Sequence, residues 1–419
     1  MLTRRRLIAG SVAAAACWPV PKPAIAQSRP RVVVIGGGAG GASVVHRLAA
    51  TGAVAITLIE PKKIYTTCFY SNLYLGGIQT FDVLQHSYEA LAKLSGVTVA
   101  RDRAAAIDRE RKRVLLDGGA SLPYDRLVVA PGVSLDYNSV PGWSAAGAEQ
   151  MLHAWLAGAQ THLLKRQLDA VPDGGLIVVI APPNPSRCPP GPYERVSMMA
   201  HALKTTGRGN ARIVIIDPKD KFSKQPLFQQ GWERHYPGMI EWMPPAIHAG
   251  IKRVDPKTMT VETGFETYKN AALVNVIPAQ RAGTIAISSG LAGTNGFCAI
   301  DPFSMRSQLE KSIFVLGDAS VAGDMPKSAF AAGSQAAVVA KTIAAELLGK
   351  PERPATSYAN KCWSLIAASD SVFVGGRYSA TPDKIKQVAS DISTLKDISD
   401  VRRSNYEDSA SWYSEMTDA

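Results

Sequence analysis

Cysteine is scarce in this sequence. Five cysteines occur in 419 residues, and none lies in a Cys-x-x-Cys-His motif or in a zinc-type spacing. The chain therefore carries no attachment motif for a c-type haem and no sequence signature of a metal site. The cysteines that follow residue 26 are too few to form a disulfide scaffold in a chain of this length, so each needs its own explanation: Cys68, Cys188, Cys298 and Cys362.

Charged residues and long apolar runs are also limited. Charged residues make up 19% of the chain and hydrophobic residues 46%, which is typical of a folded protein with room for two or three domains. No long apolar helix closes the chain, so we expect no stable membrane insertion. The formal net charge is +11, which we interpret as solvated surface charge, and we expect no nucleic-acid partner.

Residues 1–26 have the three parts of an export signal. Adjacent arginines at Arg4–Arg6 precede an apolar stretch, Ala9–Trp18, and the segment ends in Ala24-Ile25-Ala26, an A-x-A cleavage site. The arginines resemble a twin-arginine signal. An uncleaved membrane anchor is disfavoured because the apolar stretch is too short to span a bilayer. We therefore predict a periplasmic protein that is cleaved near Ala26.

A dinucleotide-binding pattern follows directly. The β-branched run Val32–Ile35 predicts a buried strand, and Gly36, Gly38 and Gly41 follow it in G-x-G-x-x-G spacing before an amphipathic helix. A second apolar strand ends at Glu60, whose carboxylate is available to ribose hydroxyls. The alternative is a glycine-rich turn without a ligand. The order of strand, glycines, helix, strand and acid favours a nucleotide cofactor.

Two later segments match the flavin-binding parts of disulfide-reductase-type proteins. The strand within residues 122–129 closes on Ala130-Pro131-Gly132, which resembles the Ala-Thr-Gly turn of those proteins, with proline in place of threonine. Another strand ends in Gly317-Asp318, where the aspartate is available to bond a ribityl chain. We expect FAD as the cofactor.

The segment after Asp318 opens a helix. Pro326 and Lys327 stand just before it, and a helix N-terminus there would present free N–H groups to the electron-rich edge of a flavin. We predict that Lys327 adds positive charge at this edge. The alternative is a solvated side chain.

A second βαβ unit lacks the glycines of a nucleotide site. The buried strand 174–180 leads into the loop 181–194, which contains several prolines and Cys188 but no G-x-G-x-x-G motif. Proline lacks an N–H donor, so this loop is unsuited to holding a pyrophosphate. We predict that NAD(P)H does not bind.

Together these units predict an α/β fold with two Rossmann-like βαβ nucleotide-binding-type domains in a glutathione-reductase-like arrangement, plus a small α+β C-terminal domain. We assign residues 27–150 and 281–350 to a discontinuous FAD-binding domain and residues 151–280 to the second Rossmann-like domain. We assign residues 351–419 to the C-terminal domain and expect it to lie at an interface of the flavin site with a partner. Helices are predicted at 151–167, from about Glu194 to Lys204, and around 382–396.

With these segments in view, the chain resembles the flavoprotein subunit of flavocytochrome c sulfide dehydrogenase, a disulfide-reductase-type family that also includes sulfide:quinone reductases. Beyond the motifs above, the resemblance rests on Tyr65-Thr-Thr-Cys68, on the loop from Cys188 to Glu194, and on Cys362-Trp363-Ser364. It implies a thioether from Cys68 to a flavin ring methyl and a redox disulfide between Cys188 and Cys362. It also implies a separate c-type cytochrome subunit as partner and sulfide as substrate.

The resemblance implies a reaction in which hydrosulfide opens the disulfide and electrons pass through the flavin to haem. Glu194 is the candidate acid/base, because it lies six residues after Cys188; the alternative is an exposed residue at a helix start. Trp363 or Trp412 is a candidate to cover the site. Cys298 is expected to be buried and structural.

Two other readings remain open. A periplasmic sulfide:quinone reductase would share the disulfide but need no cytochrome. A non-catalytic FAD-binding electron-transfer subunit would keep Gly36 and Asp318 but would not need two cysteines far apart in the sequence.

Overall fold

The computed structural model describes residues 29–351 and 357–418, so the predicted signal peptide lies outside the described residues. Residues 31–135 contain most of the first domain. Its elements are β1 (Arg31–Ile35), α1 (Ala39–Ala49), β2 (Ala55–Ile59), β3 (Ile64–Thr66), α2 (Ser71–Leu75), β4 (Gln85–Ser87), α3 (Glu89–Ala92), β5 (Val97–Ala100), β6 (Ala104–Asp108), β7 (Arg113–Leu116), β8 (Ser121–Pro123), β9 (Arg126–Val129) and β10 (Val133–Leu135).

Residues 159–276 form a second unit around its own sheet. Its elements are α4 (Ala159–Asp169), β11 (Leu176–Ile180), α5 (Gly191–Thr205), β12 (Arg212–Ile216), α6 (Gln225–His235), β13 (Ile240–Met243), α7 (Pro245–His248), β14 (Ile251–Asp255), β15 (Thr260–Thr263), β16 (Thr267–Tyr268) and β17 (Leu273–Val276). The parallel sheet has the strand order β13-β12-β11-β17.

The chain then returns to the first domain and ends in a separate module. The returning elements are β18 (Gln280–Ala282), α8 (Thr284–Ser288), β19 (Cys298–Ala299), β20 (Ile313–Val315), β21 (Ser320–Val321) and α9 (Ala329–Leu347). The module consists of β22 (Ser357–Ala367), β23 (Asp370–Ala380), β24 (Ile385–Ile392) and α10 (Ser399–Asp418).

The first domain is organised around a five-stranded parallel sheet in the order β20-β9-β1-β2-β5. Strand β1 is central, and Val32 to Val34 are almost completely buried, as expected for a strand that is covered on both faces. Strand β18 pairs with β10 and brings the chain back beside this sheet. The two parallel sheets and the C-terminal module confirm the predicted α/β fold class.

Three predicted helices differ from the structure. The helix expected at 151–167 starts only at Ala159, because residues 151–155 are irregular and buried against the second sheet. The α5 helix starts at Gly191 rather than near Glu194, with proline accepted in its first turn. The helix predicted around 382–396 is wrong: residues 385–392 form β24, an antiparallel edge strand hydrogen-bonded to β23.

The C-terminal helix α10 packs over the first domain. The Tyr413 hydroxyl donates to the Val83 carbonyl at 2.7 Å and lies 2.8 Å from the Thr67 hydroxyl. The Tyr70 and Tyr413 rings stack with centroids 4.2 Å apart. In the described ranges, no helix combines the length and the apolar character needed to cross a bilayer.

Candidate functional site

A cavity of about 920 Å³ lies where the first domain, the α5 loop and the C-terminal module meet. The carboxyl ends of parallel strands open onto it, which is where open α/β sheets bind ligands. Most of the predicted site residues line it: Gly36, Gly38, Glu60, Cys68, Ala130, Gly132, Gly317, Asp318, Cys188, Glu194 and Cys362. Residues distant in sequence thus form one site.

The glycine turn has the geometry of a nucleotide-binding loop. Gly36 has φ +95°, and a Cβ there would overlap the Ala130 carbonyl oxygen. A Cβ at Gly41 would overlap the Gly36 carbonyl oxygen, so this residue allows the helix to pack closely and does not itself line the cavity. At Gly38 the closest contact of a Cβ would be Tyr65 at 3.8 Å, which leaves open space for a ligand.

Glu60 is held in place at the end of β2. Its Oε2 accepts a hydrogen bond from the Gly37 N–H at 2.9 Å, and its Oε1 accepts one from the Lys62 N–H at 3.0 Å. Burial, together with the neighbouring Glu60, raises the pKa of Tyr88, whose hydroxyl donates to the Gly37 carbonyl at 3.1 Å. The carboxylate therefore has a fixed orientation at the edge of the cavity.

Asp318 is the clearest sign of a missing hydrogen-bonding partner. Within the described part of the chain, its buried Oδ1 atom has no hydrogen-bond partner. Burial raises the pKa of this carboxyl group, while the positive charges of Arg187 and Lys327 oppose the rise. A polyol hydroxyl would satisfy the free oxygen. The open space at Gly38 and the unpaired oxygen of Asp318 both fit a bound FAD.

Lys327 does not face the main cavity, contrary to the prediction. Its Nζ donates to the carbonyls of Asp318 at 2.8 Å and Ser320 at 2.7 Å, and lies 3.9 Å from the centroid of the Phe297 ring. Burial lowers the pKa of its amine to about 8. Pro326 and Lys327 instead line a separate cavity of about 450 Å³. The lysine ties the Asp318 turn together because two backbone carbonyls hold its amine.

Arg187 is one of the cationic residues that line the main cavity, and the sequence reasoning did not identify it. Its guanidinium donates to the Trp155 carbonyl, and its backbone N–H donates to Gln280 Oε1 at 2.9 Å. Burial disfavours the charged guanidinium and acts to lower the pKa of Arg187. The nearby Cys68 and Asp318 act in the opposite direction, and the pKa is raised overall. One arginine beside a cysteine in a proline-rich loop gives no sequence signal that separates it from a solvated residue.

The two predicted redox cysteines are adjacent. Cys188 precedes α5 in a left-handed conformation with φ +52°, and its N–H donates to the Lys327 carbonyl at 2.8 Å. Cys362 lies within β22. Both are free thiols in the structure, and their side chains are close enough for the Cys188 thiol to hydrogen-bond to a Cys362 thiolate. The structure therefore presents the pair as a dithiol, and the predicted disulfide stays a prediction about the oxidised form.

The pKa values of the two thiols are shifted in opposite directions. The hydrogen bond to Cys188 lowers the pKa of Cys362 to about 7, and the positive charge of Lys224 acts in the same direction. The same hydrogen bond and burial raise the pKa of Cys188. Cys362 is therefore the more acidic of the two thiols and the one on which a negative charge is favoured.

Glu194 lies beside the pair and is fully hydrogen-bonded. Its Oε1 accepts from the Leu365 N–H at 2.9 Å, and its Oε2 accepts from Asn72 Nδ2 at 2.8 Å. Burial raises the pKa of this carboxyl group. Asn72 is in turn held by Arg195, whose Nε donates to Asn72 Oδ1 at 3.1 Å. Sequence reasoning missed Asn72 and Arg195, which have no local motif.

Both candidate tryptophans line the cavity. The ring centroids of Trp363 and Trp412 are 5.8 Å apart, and Phe330 lies 5.9 Å from Trp412. Both rings therefore cover the site, and neither acts alone. Cys298 has no exposed surface, which confirms its expected burial, and burial raises the pKa of its thiol to about 11.

In the second domain, Asp217 stands at the end of the second strand of the βαβ unit, as Glu60 does in the first domain. Asp217 follows β12 and is completely buried; its Oδ2 accepts from the hydroxyl of Tyr193 and from Trp242 Nε1. The Tyr193 ring stacks on Phe222 with centroids 3.7 Å apart. The aspartate is therefore already bonded to aromatic side chains of the second domain.

Comparison with known families agrees with this geometry. Residues 161–278 match the family described as "Sulfide dehydrogenase (flavocytochrome c) flavoprotein chain, central", and residues 354–418 match "Flavocytochrome c sulphide dehydrogenase, flavin-binding". Residues 30–169 match "Pyridine nucleotide-disulphide oxidoreductase". The chain is a flavocytochrome c sulfide dehydrogenase-like flavoprotein. The family expected from the sequence is therefore confirmed.

More distant relatives share the sequence or the fold. A mitochondrial sulfide:quinone oxidoreductase of Mus musculus is 23% identical over 349 residues, covering 80% of this chain and 74% of that protein. The sulfide:quinone oxidoreductase structure from Aquifex aeolicus matches with a TM-score of 0.71 at 17% identity, covering 92% of this chain and 90% of the other. Putidaredoxin reductase in its covalent complex with putidaredoxin matches at 0.66 with 20% identity, covering 91% and 94%.

Proposed function

We propose that this flavoprotein oxidises sulfide in the periplasm and passes the electrons to a c-type cytochrome subunit. The observation that carries the proposal is the contact between Cys188 and Cys362, which come from different domains and meet in the cavity wall that also contains Cys68 and Asp318. Such a pair can cycle between dithiol and disulfide next to a cofactor. The twin-arginine-type segment supports the periplasmic location, where disulfides persist.

Three features of the main cavity have the geometry needed to hold FAD. The glycine turn would receive the pyrophosphate, Glu60 would bond the ribose, and Asp318 would bond the ribityl chain. Cys68 is the residue proposed for a covalent thioether, because it lines the same cavity after β3. A bound flavin supplies the ability to take up two electrons together and release them one at a time.

The proposed reaction of the cysteine pair consumes two hydrosulfide ions in each turnover. The first attacks one sulfur of the disulfide, so the S–S bond breaks; one cysteine becomes a persulfide and the other leaves as a thiolate. The second attacks the outer sulfur of the persulfide and releases a two-sulfur polysulfide. The two cysteine sulfurs then give up two electrons and re-form the disulfide. The net change consumes two hydrosulfide ions and yields one hydrogen disulfide ion, one proton and two electrons.

Glu194 is the group proposed to hold the proton during these steps. Its carboxyl group is held beside the cysteine pair by hydrogen bonds from Asn72 and Leu365, and burial raises its pKa, which favours proton uptake by this carboxyl group. Trp363 and Trp412 cover the cavity and exclude water from the reacting sulfurs.

One observation favours quinone as an alternative electron acceptor. The curated relatives that match are named sulfide:quinone oxidoreductases, so quinone reduction is the alternative fate of the electrons. Purification of the native complex tests the choice. A co-purifying haem spectrum and sulfide-dependent haem reduction support the cytochrome proposal; sulfide-dependent reduction of a soluble quinone by haem-free enzyme at a comparable rate contradicts it.

A further inference from the structure

Lys224 is a buried lysine in a position that no motif identified. It directly precedes α6 in a left-handed conformation with φ +62°, and only 5% of its surface is exposed. Lysine is almost never this deeply buried without a partner for its charge. Its placement therefore requires a physical explanation.

Two of the three hydrogen bonds of the Lys224 amine go to β22, the strand that carries Cys362, and the third goes to the neighbouring strand β23. Its Nζ donates to Ser364 Oγ at 2.8 Å, to the Cys362 carbonyl at 3.3 Å and to the Val372 carbonyl at 3.4 Å. These three acceptors are neutral. They satisfy the hydrogen bonds of the ammonium group but not its charge, whose burial is unfavourable.

A partly buried lysine of the same domain, Lys219, shows the usual way to compensate for such a charge. The amine of Lys219 lies 2.6 Å from Asp217 Oδ1, so a carboxylate compensates for its burial. The groups that compensate for Lys224 are Cys362, Glu194 and Cys188, which favour its charged form against the effect of burial. The compensating negative charge is thus the charge of the reactive site itself.

The titratable groups that interact with Cys362 come from several of the elements packed around it. They are Cys188 in the loop before α5, Glu194 in α5, Lys224 before α6, and Tyr378 in β23. Lys224 is the one of these four that carries a positive charge. Glu194 opposes negative charge on Cys362, and Lys224 favours it.

We propose that Lys224 is a positioning residue that fixes the β22 backbone at Cys362 and stabilises negative charge on the Cys362 side chain. In the reduced protein this charge is the thiolate. During the proposed reaction it is the thiolate or the persulfide anion, and that catalytic part of the inference rests on the proposed function. The effect on the thiol itself is independent of sulfide.

The test is peptide-resolved alkylation of the reduced holoprotein by iodoacetamide across a pH series, read separately for Cys362 and Cys188. The pH midpoint of the alkylation rate reports the ionisation of each thiol. The accessibility of a thiol to iodoacetamide changes only the absolute rate. Lys224→Gln keeps hydrogen-bond donors without the charge, and Lys224→Arg keeps the charge. Lys219→Met is the matched control, because it removes a partly buried lysine of the same domain that pairs with Asp217.

We expect Lys224→Gln to raise the Cys362 midpoint by about one pH unit, equivalent to a tenfold loss of thiolate below the midpoint. Lys224→Arg should restore much of this shift, and Lys219→Met should leave the midpoint unchanged. An unchanged midpoint in a folded, flavin-containing Lys224→Gln protein, or an equal shift in Lys219→Met, overturns the proposal.

The wild-type protein gives a further measurement that needs no variant. If Lys224 acts as proposed, Cys362 ionises at lower pH than Cys188 and than an ordinary thiol, whose pKa is about 8.5. A wild-type Cys362 midpoint at or above that value overturns the proposal even if the variants do not fold. If Lys224→Gln shifts the Cys362 midpoint as expected but the wild-type protein does not oxidise sulfide, the proposed function is rejected and the role of Lys224 stands.

Discussion

The side chains of Cys188 and Cys362 lie close enough to interact, although one precedes a helix of the second domain and the other lies in a strand of the C-terminal module. The contact requires both units to be folded against each other. It also places the two sulfurs in the wall of a cavity whose other side is the glycine turn of the first domain. Redox chemistry here depends on three parts of the chain at once.

Changing either cysteine to serine should remove sulfide-dependent electron transfer. Cys188→Ser and Cys362→Ser each prevent the disulfide from forming, so turnover should fall to background while bound flavin, measured by its absorbance, stays at the wild-type level. Cys298→Ala is the control, because Cys298 lies in the core of the first domain. If both serine variants turn over at near-normal rates, the pair is not the sulfide-oxidising group.

Flavin should be covalently attached through Cys68. After acid precipitation of the wild-type protein, the yellow colour should stay in the pellet, because a thioether survives denaturation. In Cys68→Ser the flavin should appear in the supernatant. Free FAD released from the wild-type protein would contradict the attachment.

NADH should not reduce the flavin. Asp217, at the position of a ribose-binding acid, is buried and bonded to Tyr193 and Trp242, and the loop before α5 is rich in proline. Anaerobic mixing with excess NADH should leave the flavin spectrum oxidised, while dithionite bleaches it in the same cuvette. Rapid bleaching by NADH would show that the second domain binds the nucleotide after all.

Glu194 should make both stability and activity depend on pH. Burial raises its folded pKa, so the folded protein binds this proton more tightly than the unfolded chain. The stabilisation is present below the unfolded pKa of about 4.3 and is lost as the pH rises through the folded pKa. Denaturant titrations at a series of pH values should show this loss in the wild type and a smaller one in Glu194→Gln.

Turnover by Glu194→Gln should fall by about a hundredfold, the usual contribution of a positioned acid or base. The exposed residue Glu233 provides the control variant Glu233→Gln, for which both profiles should match the wild type. Wild-type turnover in Glu194→Gln would mean that the carboxyl group only ties Asn72 to β22.

The parts of the site that were predictable from sequence are those carried by a local pattern. A buried strand followed by spaced glycines predicts the turn at Gly36, and a strand ending in Gly317-Asp318 predicts the polyol position. Both depend on backbone geometry that a few adjacent residues determine. The pairing of Cys188 with Cys362 came only from the family resemblance, because their separation in sequence contains no information about distance in space.

The residues that were missed act through tertiary neighbours. Arg187, Asn72 and Lys224 have their roles because burial removes them from water and leaves them specific partners. Lys327 shows the converse: it was predicted to face the flavin, but two backbone carbonyls hold its amine elsewhere. Strand β24 was read as a helix because pairing with β23, rather than local propensity, decides its conformation.

Helix α10 has a consequence for how the protein matures. Its Tyr406, Ser409 and Trp412 complete the wall of the main cavity, and residues 399–418 leave the ribosome after every other wall element has been synthesised. The nascent chain therefore presents the half-built site, with the Cys68 side uncovered, until α10 docks. Docking of α10 is therefore the step that closes this side of the cavity.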